Sequence, residues 1–429
     1  MTLTLPPRGI SRHAWLFCLA LLLTPFLHAA VGAPAFTPQA RLGYRVGDQW
    51  EPAIAADGFG HVYVLYPQYG RLMPGLNGPL PSMTLLVSDN NGTTWQPPRE
   101  ITSHLTGQFD PQIVVDPADH RTVYAAWLQD RNRDAVVAKS VDFGQSWSVV
   151  VADRDDEDAD KPVLAVRGKD VYLAFNRERE MRVAVSHDGG ITFIVGDVDP
   201  ELNLIRALGG GATVDGEGGV HVAWAGYVRR NQVNLFVSNS SDGGKSWATI
   251  QMATSSAAPD CSAFRCEWGF LGAQITIASD AAGTLYALWN SGTRNQAPQR
   301  IYFASSTTAG ETWSAPADVS LAPKGVEHAF PALVAGEADD VRIAWMDTRH
   351  APLWNTFYRS SSNGGATWSA ETRLSNYVPG YRYIRSKGYS FPFGDYFEMD
   401  IDNQGRTQAV WGEGLNFRSP GSIWYSNGR

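Results

Sequence analysis

The sequence predicts an all-β fold, a seven-bladed β-propeller with four-stranded antiparallel blades. Three observations carry this: an eight-residue turn pattern recurs six times, a strand pattern recurs seven times, and the composition is poor in charge but rich in turn and aromatic residues. Charged residues make up 18% of the chain, against 42 Gly, 15 Trp and 16 Tyr, which suits short strands joined by many turns. At 429 residues the chain exceeds a usual domain, so it needs several domains or one repeat architecture.

The N-terminus comes first. Arg8, Arg12 and His13 precede an apolar run over 14–23, then Pro25 and a small-residue stretch at 28–33. A basic head, a short greasy core and small residues make a secretory signal peptide, assigned to residues 1–33 with cleavage between Ala29 and Ala35. The run is shorter than the ~20 apolar residues a bilayer span requires; an uncleaved anchor is the alternative. The expectation is an exported protein, periplasmic or extracellular, with residues 34–429 as one domain, a monomer, and no membrane span after signal removal. The formal charge of −8 becomes more negative once Arg8 and Arg12 leave, which argues against nucleic acid or an anionic membrane as partner. Cys18 leaves with the signal. Cys261 and Cys266 then remain, close enough in sequence for a small disulfide; a zinc site would need two further ligands nearby, and two free thiols are the alternative.

The turn pattern is Ser-x-Asp-x-Gly-x-Thr-Trp. Its first copy reads Ser88-Asp89-Asn90-Asn91-Gly92-Thr93-Thr94-Trp95, and others lie at 140–147, 186–193 and 240–247, with looser ones at 306–313 and 361–368. This pattern resembles the Asp box, or BNR repeat, of the sialidase superfamily, and the resemblance covers nearly the whole chain after the signal. The chemistry of the box is structural: Asp or Asn bonds turn amides, Gly takes the positive φ, and Trp packs into the sheet. The upstream pattern is a Pro- or Gly-led apolar strand, a polar turn, and a strand often ending in Ala-Trp. It is led by Pro52, Pro111, Pro162, Gly211, Gly272, Pro331 and Gly394. Each full unit supplies four strands at a period of roughly fifty to sixty residues, as propeller blades do. The seventh unit has no box, so residues 39–45 are expected to pair with 422–425 and close the ring, removing an exposed edge. Six blades, as in sialidase catalytic domains, is the alternative.

The resemblance implies a ligand site on the face away from the boxes, around the axis, formed by loops before the first strands and after the second. Before the first strands lie Trp50-Glu51, Asp110, Asp160-Lys161, Arg206, Trp268, His328 and Asp395-Tyr396; after the second lie Arg131, Arg177, Arg294, Asp347, Arg349, His350 and Glu413. So many Arg on one face of an acidic protein point to an anionic ligand, an acidic glycan or glycoconjugate, with aromatic rings as stacking faces; rim ion pairs are the structural alternative. The aromatic-basic stretch over 377–393, with Tyr383 at its centre, reads as a lid.

By resemblance to a sialidase, Arg131, Arg177 and Arg349 would hold a substrate carboxylate, with Tyr396 as nucleophile, Glu413 as its base and Asp110 as acid. Arg294, Asp347, Trp50 and Tyr383 would be further substrate contacts. The family's Arg-Ile-Pro signature is absent; the nearest text is Tyr44-Arg45-Val46-Gly47. Two other readings stand beside this one. A uronate polysaccharide lyase would use His328, His350 and Arg349; a non-catalytic propeller would bind glycan or protein on the same face. No cofactor is implied. The acidic run 153–160 offers oxygen ligands for Ca²⁺, with a solvated loop as the alternative.

Overall fold

The computed structural model describes residues 1–2, 33–70, 80–102, 105–199 and 201–429. The expected signal peptide, Cys18 included, lies outside them but for residues 1, 2 and 33. Residues 32–429 form one compact unit. Its described strands form seven antiparallel sheets arranged as a seven-bladed β-propeller. The second blade is typical: Gln108–Val115, Val123–Gln129, Asp134–Ser140 and Ser148–Arg154 run from the axis outward.

Hydrophobic packing explains the stacking of blades. Second strands such as Val62–Tyr69 and Val123–Gln129 are buried along nearly their whole length, because each lies between two neighbouring blades. Tyr63 and Leu65 of the first blade share a core with Ile113 and Trp127 of the second. Trp127, Trp224, Trp289, Trp345 and Trp411 sit at equivalent places near the ends of five second strands, each almost fully enclosed. Their burial supplies the large apolar areas that hold short strands together.

The six turns share one geometry. Ser Oγ accepts the amide of the Gly four residues on, at 2.8 to 3.0 Å. The side chain at the third position accepts the amide four residues further, again at 2.8 to 3.0 Å, even where Thr308 replaces Asp. A short polar residue there is therefore sufficient.

The ring closes as the unpaired last repeat requires. Ala40 and Arg41 pair with Tyr425 and Trp424 as the outer strand of the seventh blade, and a bridge from Phe36 to Gly428 extends the seam. The stretch over 377–393 packs down instead of standing free. It forms the small ribbon Ile384–Arg385 and Gly388–Tyr389 on the sixth blade, with Tyr383 and Tyr389 buried.

The innermost strands position the site. Glu51, Asp110, Lys161 and Phe330 each take a positive φ between 43° and 55°, each directly before a proline. Pairing with the second strand slips at this place in the second, third and sixth blades. These are β-bulges, which re-aim a side chain out of the pleat alternation. In the seventh blade the slip falls over Gly394, whose φ is +75°; a Cβ there would lie 2.6 Å from the backbone nitrogen of Glu51.

Candidate functional site

The bulges bring Glu51, Asp110 and Lys161 from three successive blades to one end of the central channel, where Asp395 and Tyr396 meet them from the seventh. Above this floor opens a cavity of about 620 Å³. Its walls include Trp50, Tyr69, Tyr227, Trp268, Phe270, Phe393 and Phe417, with Asp160, Arg206, Glu267 and Arg418 among its polar groups. Trp50 is fixed by edge contacts with Phe393 and Phe417 at 4.2 and 5.3 Å. Trp268 leans on Tyr227 at 5.0 Å and remains 38% exposed, offering a ring face to a ligand. The loop that carries it begins at Cys261 and Cys266, whose sulfurs are bonded, and Phe264 within it stacks on Phe391.

The floor is a charge network. Lys161 Nζ lies 2.5 Å from Asp395 Oδ1 and 4.0 Å from the centre of the Tyr396 ring. Arg206 donates to Asp160 at 2.8 Å. The Tyr396 hydroxyl donates to Asp110 Oδ1 at 3.5 Å, the outer limit of a hydrogen bond. Glu51 and Asp110 are buried next to each other, close enough for their charges to interact. Burial, and then repulsion from Asp160 and Asp395, pushes the Asp110 carboxyl up to about 7 despite Lys161. Burial and the nearby Asp110 raise Glu51 well above its ordinary range. Burial would lower Lys161, but Asp395, Glu51, Asp160 and Asp110 together hold it above its usual value. Burial and the same carboxylates keep the Tyr396 phenol protonated. A proton-sharing carboxyl pair, a phenol and aromatic walls can exchange protons with a polyhydroxylated ligand and stack on its apolar faces.

The first-strand residues thus converge, and those after the second strands stay away from the axis. Arg177 is wholly enclosed, bonded to Asp153 and to the carbonyls of Glu157 and Arg133. Arg349 is held between Asp347 and Glu371, each at 2.6 Å, with its guanidinium 3.5 Å from the Phe357 ring centre. Arg131 and Arg294 are exposed and do not line the cavity. Glu413 is fully buried: it accepts the Trp411 indole N–H at 2.9 Å, with Gln39 on its other oxygen. Asp347 accepts the indole N–H of Trp345, and Gln129 that of Trp127. Glu413 and Asp347 therefore hold the acceptor position of a repeated Trp-x-acceptor unit, and Glu413 faces Tyr383 and Tyr389 instead of Tyr396. His328 is enclosed, with its ring nitrogens on the Gln299 and Val326 carbonyls and the Ser320 hydroxyl. Within the acidic run, Asp153, Asp155 and Asp160 pair with Arg177, Arg182 and Arg206. Among the described residues no group of three or more His, Cys, Asp or Glu is arranged to hold a metal ion.

Tyr69, Tyr227, Glu267, Phe270 and Phe417 belong to the cavity but were not singled out from sequence. Deeper in the channel, Gln112 donates to Glu398 at 2.6 Å, and Glu398 and Asp400 accept the amides of Ile54 and Ala56. The one available signal was the residue before each leading proline, since repeats place equivalent positions around one axis.

No family model matches the sequence, and no curated protein matches it. Solved structures share the architecture at low identity. A protein of unknown function from Dyadobacter fermentans is 15% identical over 92% of this chain and 98% of that one, with a TM-score of 0.52. An ulvan lyase, described as a new family of polysaccharide lyase, is 13% identical over 90% and 95%, with a TM-score of 0.51. The NanB sialidase of Streptococcus pneumoniae is 11% identical over 92% and 70%, with a TM-score of 0.48. At these identities the likeness establishes the fold alone. No described helix is long and apolar enough to cross a membrane.

Proposed function

We propose that the protein binds a glycan in the axial cavity and hydrolyses a glycosidic bond there, with Glu51, Asp110 and Tyr396 as the reacting groups. The observation that carries this reading is the buried Glu51–Asp110 pair at the floor of an aromatic-walled cavity, with the Tyr396 hydroxyl directed at Asp110. Like-charged neighbours in a buried site share a proton near neutral pH. Glu51 gives that proton to the glycosidic oxygen as the bond to the anomeric carbon breaks. Asp110 takes the phenolic proton as the Tyr396 oxygen attacks; water then displaces the sugar, giving one proton to Glu51 and keeping the other on the new sugar hydroxyl, while Asp110 returns its proton to the Tyr396 oxygen. In this reading Tyr396 keeps the part of nucleophile, Asp110 serves as its base in place of Glu413, and Glu51 takes the acid's part expected of Asp110. The work is assigned outside the cytoplasm, with residues 34–429 as the mature domain; the bonded pair Cys261–Cys266 suits an oxidising compartment.

A binding propeller without turnover is the second reading. It is favoured by Lys161, which closes over the Tyr396 ring and onto Asp395. A panel of fluorogenic glycosides spanning sialosides, neutral hexosides, hexosaminides and uronides separates the readings. Turnover of one class, lost by about 100-fold or more in kcat in Glu51→Gln and Asp110→Asn, is the expected result. Binding without turnover selects the second reading, and unsaturated-uronate absorbance selects a lyase. A folded protein that binds none of the panel overturns the glycan reading.

A further inference from the structure

The geometry points to an amine-bearing glycan, one whose sugar presents a protonated amino group, as the ligand class of the axial cavity. This rests on the reading of that cavity as a glycan site and deepens it. Five carboxyl groups line the cavity, Asp48, Glu51, Asp160, Glu267 and Asp395, with Asp110 buried beside Glu51, against three cations, Lys161, Arg206 and Arg418. Two of the cations are committed: Lys161 to Asp395 at 2.5 Å and Arg206 to Asp160 at 2.8 Å. Among the described residues Glu51 and Asp110 have no ion-pair partner, and they relieve their mutual repulsion only by holding a proton. An ammonium group would pair with the carboxylate that this proton-sharing pair leaves ionised; a substrate carboxylate would add a like charge in a low-dielectric site.

The walls agree with the floor. Aromatic faces attract cations through the ring quadrupole, and two of the site's rings already do so. Lys161 Nζ sits 4.0 Å from the Tyr396 ring centre, and Arg230 lies 5.6 Å from that of Trp268. Two arginines expected to anchor a substrate carboxylate, Arg177 and Arg349, are bound to their own carboxylates, away from the cavity.

Calorimetry on the full mature chain tests this with four probes: glucosamine oligosaccharides, their N-acetylated counterparts, galacturonate oligomers of equal length, and spermidine. The expected result is that the glucosamine series binds at least about tenfold more tightly than the N-acetylated series, with galacturonate weakest. That preference should shrink in Glu51→Gln and Asp110→Asn. Galacturonate or N-acetylated oligomers binding as well as glucosamine would overturn the inference and leave the glycan site standing. Spermidine binding as tightly as glucosamine would overturn the sugar requirement. Binding of none of the four by a chain with intact β-sheet circular dichroism would overturn the inference and the glycan reading together.

Discussion

Glu51, Asp110 and Lys161 owe their positions to one backbone feature, a left-handed residue directly before a proline at the head of an inner strand. Non-glycine residues are rarely found there, and such conformations persist where the surrounding fold enforces them. Gly394 is the matching point on the seventh blade, close enough to Glu51 that a side chain would collide with its backbone. Gly394→Ala is therefore expected to cost about 1 kcal/mol or more in stability and to displace the Glu51 carboxyl. Thermal unfolding beside ligand titration checks this: affinity should fall more steeply than stability. The residues before Pro52, Pro111 and Pro162 were visible in the sequence as charged positions of a repeat. Their convergence was not, because sequence spacing says nothing of how far a loop stands from the axis. Glu413 illustrates the converse. Its residue type suggested a base, but an indole two residues earlier supplies its partner within the same strand.

At the scale of elements, the six turns lie away from the site and stabilise blades one by one. Ser140 is buried and accepts the Gly144 amide at 2.8 Å while donating to Asp142. Ser140→Ala should cost about 1 kcal/mol by denaturant unfolding and leave ligand affinity unchanged. The closing strand acts differently, since it completes a blade and so spans the whole ring. A chain beginning at Tyr44 would lose the pairs to Trp424 and Tyr425 and expose the edge of Gly421–Gly428. It is expected to aggregate or to melt well below the mature chain, in light scattering and calorimetry. Both elements were legible in the sequence, because each rests on local turn chemistry or on counting strands. The packed ribbon over 377–393 was not: an aromatic-basic stretch reads equally as a lid or as a surface cover, and only the sixth blade's free edge made it the latter.

Over the whole molecule, several buried carboxyls share one consequence. Burial lifts Glu413 to about 8, against the lowering effect of its bonds to Trp411 and Gln39. Burial likewise lifts Glu398 to about 8, Asp110 to about 7 and Asp400 to about 6. Each binds its proton more tightly folded than unfolded. The stabilisation from that difference is complete below about pH 4, where both states are protonated, and is lost as pH rises through 6 to 8. The melting temperature should therefore fall between pH 5 and pH 8. Glu413→Gln, which reproduces the acceptor that Gln129 provides for Trp127, should flatten the decline. A melting temperature that rises over this interval would contradict the account.

The propeller, its count of seven and its closing strand follow from the sequence alone, because turn chemistry and strand period are local properties that repeat along the chain. Which charged residues meet is a tertiary matter. Fourfold pairing within each blade puts the first strand at the axis and the end of the second nearer the rim. Hence Glu51, Asp110, Lys161 and Tyr396 gather at one end of the central channel, while Arg177 and Arg349, as conspicuous in the sequence, satisfy carboxylates within and beside their own blades.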